Sequence, residues 1–220
     1  INGSGNRISH NVISEGPMQA IYLNANDNII EFNELYDAPY EGREIGAIYI
    51  YGEPWYMMSR GNIIRNNFFH HISYHSSPNL TQGLCAIHID AINSGLVIEK
   101  NVFYLFPAGI SSTYPGNRLE DNIFINAEIV SISQGDRSRL FYQKGDIDSQ
   151  PNYSQMGNLA QLMKSVNCKQ PPWSHRYPQL VGVMVDKPLD WPKGRGRGSI
   201  IERNINTGGR FIGFSSGGRE

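Results

Sequence analysis

The stretch Asn62-Ile63-Ile64-Arg65-Asn66-Asn67 recurs along the chain, and its recurrence decides the fold. Five other segments share Ile or Leu at the third place and Asn at the sixth, and they begin at Asn6, Asn28, Leu96, Asn117 and Ser199. Successive sixth-place Asn residues are 22, 34, 34, 21 and 82 residues apart, so a base period near 22 is lengthened by insertions. This period is too short for repeats built from helical pairs and is typical of a solenoid of short strands.

A second strand-like run follows each of these segments. In Ala47-Ile48-Tyr49-Ile50-Tyr51 and Ala86-Ile87-His88-Ile89-Asp90, apolar residues alternate with aromatic or polar ones. This alternation directs the Ile side chains inward and the Tyr, His and Asp side chains outward. One coil cannot bury its apolar face alone, so we predict an all-β fold in which six to seven coils stack as a parallel β-helix solenoid. A β-sandwich is the alternative, but the Asn-Gly turns that it requires are missing between the runs.

Three places of the repeat carry specific structural predictions. The third-place residues should form one buried column of Ile8, Ile30, Ile64, Ile98, Leu119 and Ile201. The sixth-place Asn should point inward at a turn and stack on its counterpart one coil away. The fourth place carries Glu31, Arg65, Glu99, Glu120 and Glu202. We predict a solvated face there, with Arg65 paired to an adjacent Glu.

The composition agrees with a strand-rich fold and excludes several classes of protein. The 220 residues include 26 Ile against 12 Leu and 23 Gly, which favours strands and tight turns over helices. The formal net charge of −1 does not indicate nucleic-acid binding, and no apolar run is long enough to span a membrane. Because the sequence begins with Ile1 and both ends lie in repeat-bearing sequence, we expect it to be part of a longer solenoid, with further chain of that solenoid as a partner.

The region 137–198 breaks the repeat. Met156–Val166 has helical spacing of apolar residues, and the remainder is rich in proline and aromatic residues. We predict an excursion packed on the outside of a single β-helix domain that covers residues 1–220. Cys85 opens a strand and Cys168 lies in the excursion, so Cys85 is predicted either as a buried free thiol or as the partner of Cys168 in a disulfide.

Several motifs between Glu44 and Asn126 carry a family resemblance. They read Glu44-Ile45-Gly46-Ala47-Ile48-Tyr49, Tyr51-Gly52-Glu53-Pro54-Trp55, Gly61-Asn62-Ile63-Ile64-Arg65-Asn66-Asn67-Phe68-Phe69-His70-His71-Ile72 and Ile87-His88-Ile89-Asp90-Ala91. This part resembles the secreted right-handed parallel β-helix proteins, a pectate-lyase-like group that includes bacterial glycoside-hydrolase-like enzymes. The resemblance implies a right-handed coil, a secreted or periplasmic location, and a polysaccharide or oligosaccharide substrate. Ala91 departs from the second Asp that the family motif has there.

Four outward residues of the second run form the candidate site. Tyr49, Tyr51, His88 and Asp90 stand at matching places of neighbouring coils, which stack about 4.8 Å apart. Aromatic faces can stack on sugar rings, while His and Asp hydrogen-bond hydroxyl groups or move protons. The alternative is an ordinary half-exposed sheet face with aromatic cross-strand pairs. The predicted walls of the cleft are the insertions Asp37–Arg43 and Tyr74–Gly83.

Glycoside hydrolysis is the predicted reaction. It requires two carboxyl groups, about 5–5.5 Å apart for retention or about 6.5–9.5 Å apart for inversion. Asp90 is the first candidate, with Glu44 or Glu53 as the second acid and His88 assisting. A polysaccharide lyase is the runner-up, with Arg60, Arg65 and His88 as the available bases and cations, but no Lys stands on the outward columns.

A non-catalytic glycan-binding or structural β-helix is the other functional class, and Ala91 favours it. The predicted substrate-binding residues of the enzyme are Tyr49, Tyr51, Glu53, Trp55, Arg65, His70 and His71. His70 and His71 lie near His75, but no Asp or Cys stands at ligand spacing, so neither a metal nor another cofactor is expected.

Overall fold

The structure is a computed structural model that describes residues 3–41, 44–51, 60–73, 83–90, 93–113, 116–136, 167, 169–178 and 199–216. Within these ranges the chain forms strands and one short helix. No helix within them is long and apolar enough to cross a membrane.

The strands stack as three faces, and each coil contributes one strand to each face. Face 1 consists of β1 (Arg7–Ser9), β4 (Ile29–Glu31), β7 (Ile63–Arg65), β10 (Val97–Glu99), β12 (Arg118–Glu120) and β14 (Ile200–Glu202). Face 2 begins with β2 (Val12–Ser14), β5 (Glu34–Tyr36) and β8 (Phe68–His70), and it ends with β15 (Ile205–Thr207). Face 3 begins with β3 (Ile21–Leu23), β6 (Ile45–Ile50) and β9 (Leu84–Ile89), and it ends with β16 (Arg210–Ser216).

In the fourth and fifth coils, faces 2 and 3 are joined by continuous strands. These are β11 (Val102–Ser112) and β13 (Ile123–Asp136). Both bend at a left-handed residue, Leu105 and Asn126 respectively. Every strand pair is parallel within the described ranges. The predicted parallel β-helix is therefore confirmed, with six coils in the described part.

The predicted apolar column is also confirmed. Ile30, Ile64, Ile98 and Leu119 are fully buried and pair across successive strands of face 1. Their end-coil counterparts, Ile8 and Ile201, are partly buried and pack against the same core. Phe69, Phe103 and Phe124 continue the core behind face 2, with ring centroids 4.9 and 4.8 Å apart.

The sixth-place Asn residues form the predicted ladder. The side-chain amide of Asn33 donates to Oδ1 of Asn67 at 3.0 Å, and Asn67 donates to Asn101 at the same distance. The ladder runs from Asn11 through Asn122 to Asn204. The second amide hydrogen of Asn67 is directed to the carbonyl oxygens of Ile30 and Arg65. Each ladder Asn thus satisfies turn backbone as well as its neighbour.

The sequence showed two strand-like runs in each repeat, but each coil has three strands. The residue before each ladder Asn is the reason for the third strand. His10, Phe32, Asn66, Lys100, Asp121 and Arg203 all have φ between 54° and 60°. A left-handed residue turns the chain sharply, so each repeat segment is split into one strand of face 1 and one of face 2. We call these six residues the left-handed column.

A second Asn ladder precedes face 1 and was not predicted. Asn6 donates to Oδ1 of Asn28 at 2.9 Å, and Asn28 donates to Oδ1 of Asn62 at 3.1 Å. Leu96 takes the place of Asn in the fourth coil, where its main-chain amide still donates to Oδ1 of Asn117. The Asn residues at the first place of the repeat thus link neighbouring coils in the same way as those at the sixth place.

The fourth-place column differs from the prediction of a solvated face. Arg65 does pair with Glu31, at 2.7 Å, as expected. However, Glu31 and Glu120 are buried, at 1% and 4% exposure. Arg7 and Arg65 cover Glu31, while Arg118 and Arg203 cover Glu120. The guanidinium groups and their aliphatic stems remove these carboxylates from solvent.

The described part of the excursion touches the solenoid at one corner. The helix α1 (Trp173–Arg176) is followed by the buried Tyr177, whose hydroxyl donates to Oδ2 of Asp27 at 2.6 Å. Arg176 forms an ion pair with the same carboxylate at 3.1 Å. Gly61 faces them with φ +74°, and a Cβ there would lie 2.1 Å from Oδ1 of Asp27. The corner therefore requires glycine at this place.

Two expectations about the excursion concern residues outside the described part of the chain. Met156–Val166, the predicted helix, lies outside the described residues, as does Cys168. Cys85 is a free, buried thiol, and its Sγ donates to the carbonyl oxygen of Ile45 at 3.5 Å. Burial raises the pKa of this thiol well above its usual range, so Cys85 is an inert core residue.

Candidate functional site

The predicted patch on face 3 exists as a connected cluster. The hydroxyl of Tyr49 donates to Oδ2 of Asp90 at 2.7 Å. The rings of Tyr49 and Tyr51 are stacked, with centroids 5.9 Å apart and an angle of 12° between their planes. His88 lies edge-on to Tyr49 at 5.4 Å. We call Tyr49, Tyr51, His88 and Asp90 the face 3 patch.

The strand register explains why these residues meet. β6 and β9 pair in parallel with Tyr49 opposite His88 and Ile50 opposite Ile89. The main-chain amide of Asp90 then donates to the carbonyl oxygen of Ile50, which places Asp90 immediately after the last strand pair. The side-chain amide of Asn93 donates to the carbonyl oxygen of Asp90 at 2.7 Å. Asp90 is therefore held at the carboxyl end of face 3.

Tyr49 is poised as a hydrogen-bond donor. Burial raises the pKa of its phenol far above the ordinary value, and the hydrogen bond to Asp90 adds to that shift. The phenol thus keeps its proton at any physiological pH, and Asp90 is the acceptor. Tyr49, Tyr51 and Asp90 are each half-buried, so the patch keeps a surface in contact with solvent.

His88 is less accessible than the sequence suggested. Only 5% of the residue is exposed, and its ring packs edge-on against that of Tyr49. His88 is therefore the buried member of the face 3 patch, which corrects the expectation of a solvent-facing His88. Tyr22 joins the patch from the preceding coil, 6.1 Å from Tyr49. Its place in the same outward column was the signal for it, but it was not assigned to the site.

The structure does not bring Glu44 beside Asp90. Glu44 precedes the first pair of β6 and β9, where Ile45 is opposite Leu84, and it contacts Gly83. Asp90 follows the last pair of the same two strands. Glu44 is level with Gly83, seven residues before Asp90, so at about 3.3 Å per residue the two places are about 23 Å apart, well beyond the separation of a hydrolytic carboxylate pair. The expected Asp90–Glu44 pairing is therefore wrong, since the two residues occupy opposite ends of face 3.

Three of the predicted substrate contacts lie on other faces. Arg65 ends a strand of face 1 and is bound to Glu31. His70 ends a strand of face 2, stacks on Tyr36 at 4.8 Å and contacts Glu34 at 2.9 Å. His71 follows it and lies edge-on to Tyr104. The sequence motif is continuous, but the left-handed column turns its halves onto different faces, so these residues do not join the face 3 patch.

The remaining candidates fall in the insertion that follows Tyr51. Glu53 and Trp55 lie outside the described residues. The insertions Asp37–Arg43 and Tyr74–Gly83 were expected to wall the cleft. Both come before a strand of face 3, so their described residues lead into the start of that face, where Glu44 lies. The insertion at the end of face 3 that carries Asp90 is the one beginning at Tyr51. Among the described residues, no group of three His, Cys, Asp or Glu side chains is placed to hold a metal ion.

Beyond the third coil the outward residues of face 3 are small. Ser111 and Ser133 are aligned with His88, whereas Ser131 is fully buried. An irregularity lies between Phe106 and Ala108, where β11 and β13 change register. The small residues of this part of face 3 leave the aromatic patch confined to the first three coils.

Comparison with known proteins places the chain in a class. The family model described as "Right handed beta helix region" matches residues 1–148. The chain therefore belongs to the right-handed β-helix family, whose fold is the one described above. No curated protein and no solved structure matches the chain.

Proposed function

We propose that the chain binds a polysaccharide or oligosaccharide at the face 3 patch and hydrolyses a glycosidic bond there. The hydrogen bond from Tyr49 to Asp90, beside the stacked ring of Tyr51, is the observation that carries the proposal. It joins an oriented carboxylate to an aromatic surface at one end of a face, and these are the two elements that a saccharide site requires.

The aromatic residues supply the binding surface. A sugar ring has an apolar face of C–H groups and a rim of hydroxyl groups, so it can lie on an aromatic ring while its rim hydrogen-bonds to polar groups. Tyr51 is half-buried and its ring is held by Tyr49 in a nearly parallel arrangement. A side chain fixed in this way loses little freedom when a sugar stacks on it.

Asp90 supplies the reacting carboxylate. Its Oδ2 accepts a hydrogen bond from a phenol that keeps its proton, so the carboxylate is oriented from the adjacent coil. We assign to Asp90 the role of the base that activates water or of the nucleophile at the anomeric carbon. Glu53, two residues beyond Tyr51 in the sequence, is the proposed general acid in place of Glu44.

Two other functions receive less support. A lyase needs a cation near the base, but Arg60 is 3% exposed and bound to Ser94, while Arg65 is bound to Glu31 on face 1. A non-catalytic glycan-binding β-helix is the second candidate function. The separation of Asp90 from Glu44 favours it, because that separation leaves Asp90 without this second acid.

The test measures release of reducing sugar from a panel of polysaccharides. We expect Asp90→Asn and Glu53→Gln each to lower kcat by about a hundredfold or more, while glycan affinity stays within about threefold. Glu44→Gln is the matched control, since it removes a carboxylate at the far end of the same face and should leave kcat unchanged. Tyr51→Ala should mainly weaken binding.

The outcomes separate the two candidate functions. Glycan binding without any release that depends on Asp90 would reject hydrolysis and identify a binding module. A loss of activity in Glu44→Gln equal to that in Asp90→Asn would contradict the assignment of the second acid.

A further inference from the structure

A second groove runs along the corner between faces 1 and 2. One wall is the left-handed column from His10 to Lys100, and the other consists of the first residues of the face 2 strands from Val12 to Val102. Its volume is about 580 Å³. We call it the corner groove. The face 3 patch contributes no residue to it.

The corner groove exposes large apolar side chains to solvent. Val12 is 66% exposed, Phe32 48% and Phe68 39%. These three apolar residues come from the first three coils and line one depression, whereas singly scattered apolar residues would need no explanation. Their grouping in one depression makes the corner groove a candidate binding site.

Phe32 is unfavourable for the fold in two respects. Its φ is +55°, a conformation that bulky side chains rarely adopt and that asparagine, found as Asn66 at the same place one coil later, adopts readily. Its ring contributes little to the core, since nearly half of the residue is exposed. His10 stacks on one face of this ring, with centroids 5.1 Å apart, so the Phe32 ring is held by a neighbour on the adjacent coil. These features indicate a role in binding and not in folding.

The polar groups of the corner groove define the chemistry of its occupant. Glu34 and Lys100 carry opposite charges, and Asn66 adds an amide between them. Glu34 is held by His70 at 2.9 Å. Balanced charges beside flat rings suit an uncharged ligand that has an apolar face and hydroxyl groups. The volume of the corner groove lies within the range of small-ligand sites, about 300–1,000 Å³.

We propose that the corner groove is a second saccharide site, which binds a neutral linear oligosaccharide along the axis of the coils. Phe32 and Phe68 stack on successive sugar rings, and Glu34, Asn66 and Lys100 hydrogen-bond their hydroxyl groups. The site lies on a different corner from the face 3 patch and does not depend on the reaction proposed there.

The experiment measures binding of neutral gluco-, xylo-, manno- and galacto-oligosaccharides by calorimetry to the whole protein in a Tyr51→Ala background. We expect at least one class to bind, and the Phe32→Asn/Phe68→Thr variant in that background to bind it about tenfold more weakly or worse. Ile129→Asn removes an apolar residue that is 43% exposed elsewhere, and it should leave the affinity unchanged. If the double variant does not fold, Phe32→Asn alone is the test, because asparagine suits the left-handed backbone.

Three results would overturn the proposal. They are the loss of all oligosaccharide binding in the Tyr51→Ala protein, wild-type affinity in the groove variant, and dissociation of an oligomer by the groove substitutions in analytical ultracentrifugation. The last result would identify the groove as an interface between copies of the chain. Loss of hydrolysis in Asp90→Asn bears only on the face 3 patch, so the two proposals fail independently.

Discussion

The hydroxyl of Tyr49 and the carboxylate of Asp90 are joined at 2.7 Å across two adjacent coils, although 41 residues separate them in the chain. Each residue alone occupies an ordinary outward place, Tyr49 within a strand and Asp90 directly after one. The hydrogen bond orients the Asp90 carboxylate, and burial together with this bond gives the tyrosine a strongly raised pKa. The relationship has a measurable consequence at alkaline pH.

Tyr49→Phe should make the protein less sensitive to alkali. An unfolded tyrosine loses its proton near pH 10, whereas burial and Asp90 raise the pKa of Tyr49 in the folded state. Above about pH 10 the folded wild type therefore binds more protons than the unfolded chain, and its free energy of unfolding falls as pH rises. Urea denaturation of both proteins from about pH 8 to 11 measures this, and a constant difference between them would contradict the shift.

Glu31→Gln should reduce sensitivity to acid. The hydrogen bond from Arg65, with the charges of Arg65 and Arg7, lowers the pKa of Glu31, so its stabilising effect is present above the unfolded value near 4.3. As pH falls below that value this effect is lost, and the stabilities of wild type and variant should converge. Glu99→Gln, in the same column, is the control. Denaturation midpoints that stay equally far apart in acid would reject this role for Glu31.

Asn67→Ala should destabilise the fold by about 1–3 kcal/mol, because it removes the side-chain partner of the Asn33 main-chain amide and of the Ile30 and Arg65 carbonyl oxygens. Asn11→Ala is the matched control: Asn11 occupies the same place in the first coil, but it is exposed and water can replace its bonds. Chemical denaturation of both variants gives the difference. Equal losses would mean that burial of the ladder does not set its strength.

Asp27→Asn should loosen the anchored segment without unfolding the solenoid. It removes the ion pair to Arg176, which is 64% exposed, and weakens the hydrogen bond from Tyr177. Global stability should change by less than about 1 kcal/mol, since an exposed ion pair contributes little. Tryptic cleavage after Arg176 should become faster, and added salt should accelerate it in wild type but not in the variant. Unchanged cleavage would mean that Asp27 does not hold the segment.

The coil could be predicted from the sequence because its signal is repeated six times. Each recurrence of an inward Ile and a turn Asn tests the same physical requirement, so the column at Ile64 and the ladder at Asn67 follow directly from the pattern. The second ladder was hidden because Leu96 and Ser199 interrupt it. The burial of Glu31 was hidden because it depends on arginines from neighbouring coils, not on its own neighbours in sequence.

The candidate site was only partly predictable for a geometric reason. Residues at matching places on adjacent coils, such as Tyr49 and His88, are brought together by the register, which the repeat reveals. Residues that are merely close in the sequence are not brought together in this way, because every coil turns through three faces. Glu44 lies five residues before Tyr49 but at the other end of the strand, and the left-handed turn at Asn66 sends Arg65 and His70 to different faces.

The ladder also gives the molecule a direction. In every rung the amide donates toward the following coil and the carbonyl oxygen accepts from the preceding one, so the donors of Asn11, Asn33, Asn67, Asn101 and Asn122 all point the same way. The two ends of the ladder are therefore chemically different, since one end offers a carbonyl oxygen to a further coil and the other offers an amide group. A coil can extend the ladder only in head-to-tail orientation, since the reverse orientation would set oxygen against oxygen or hydrogen against hydrogen.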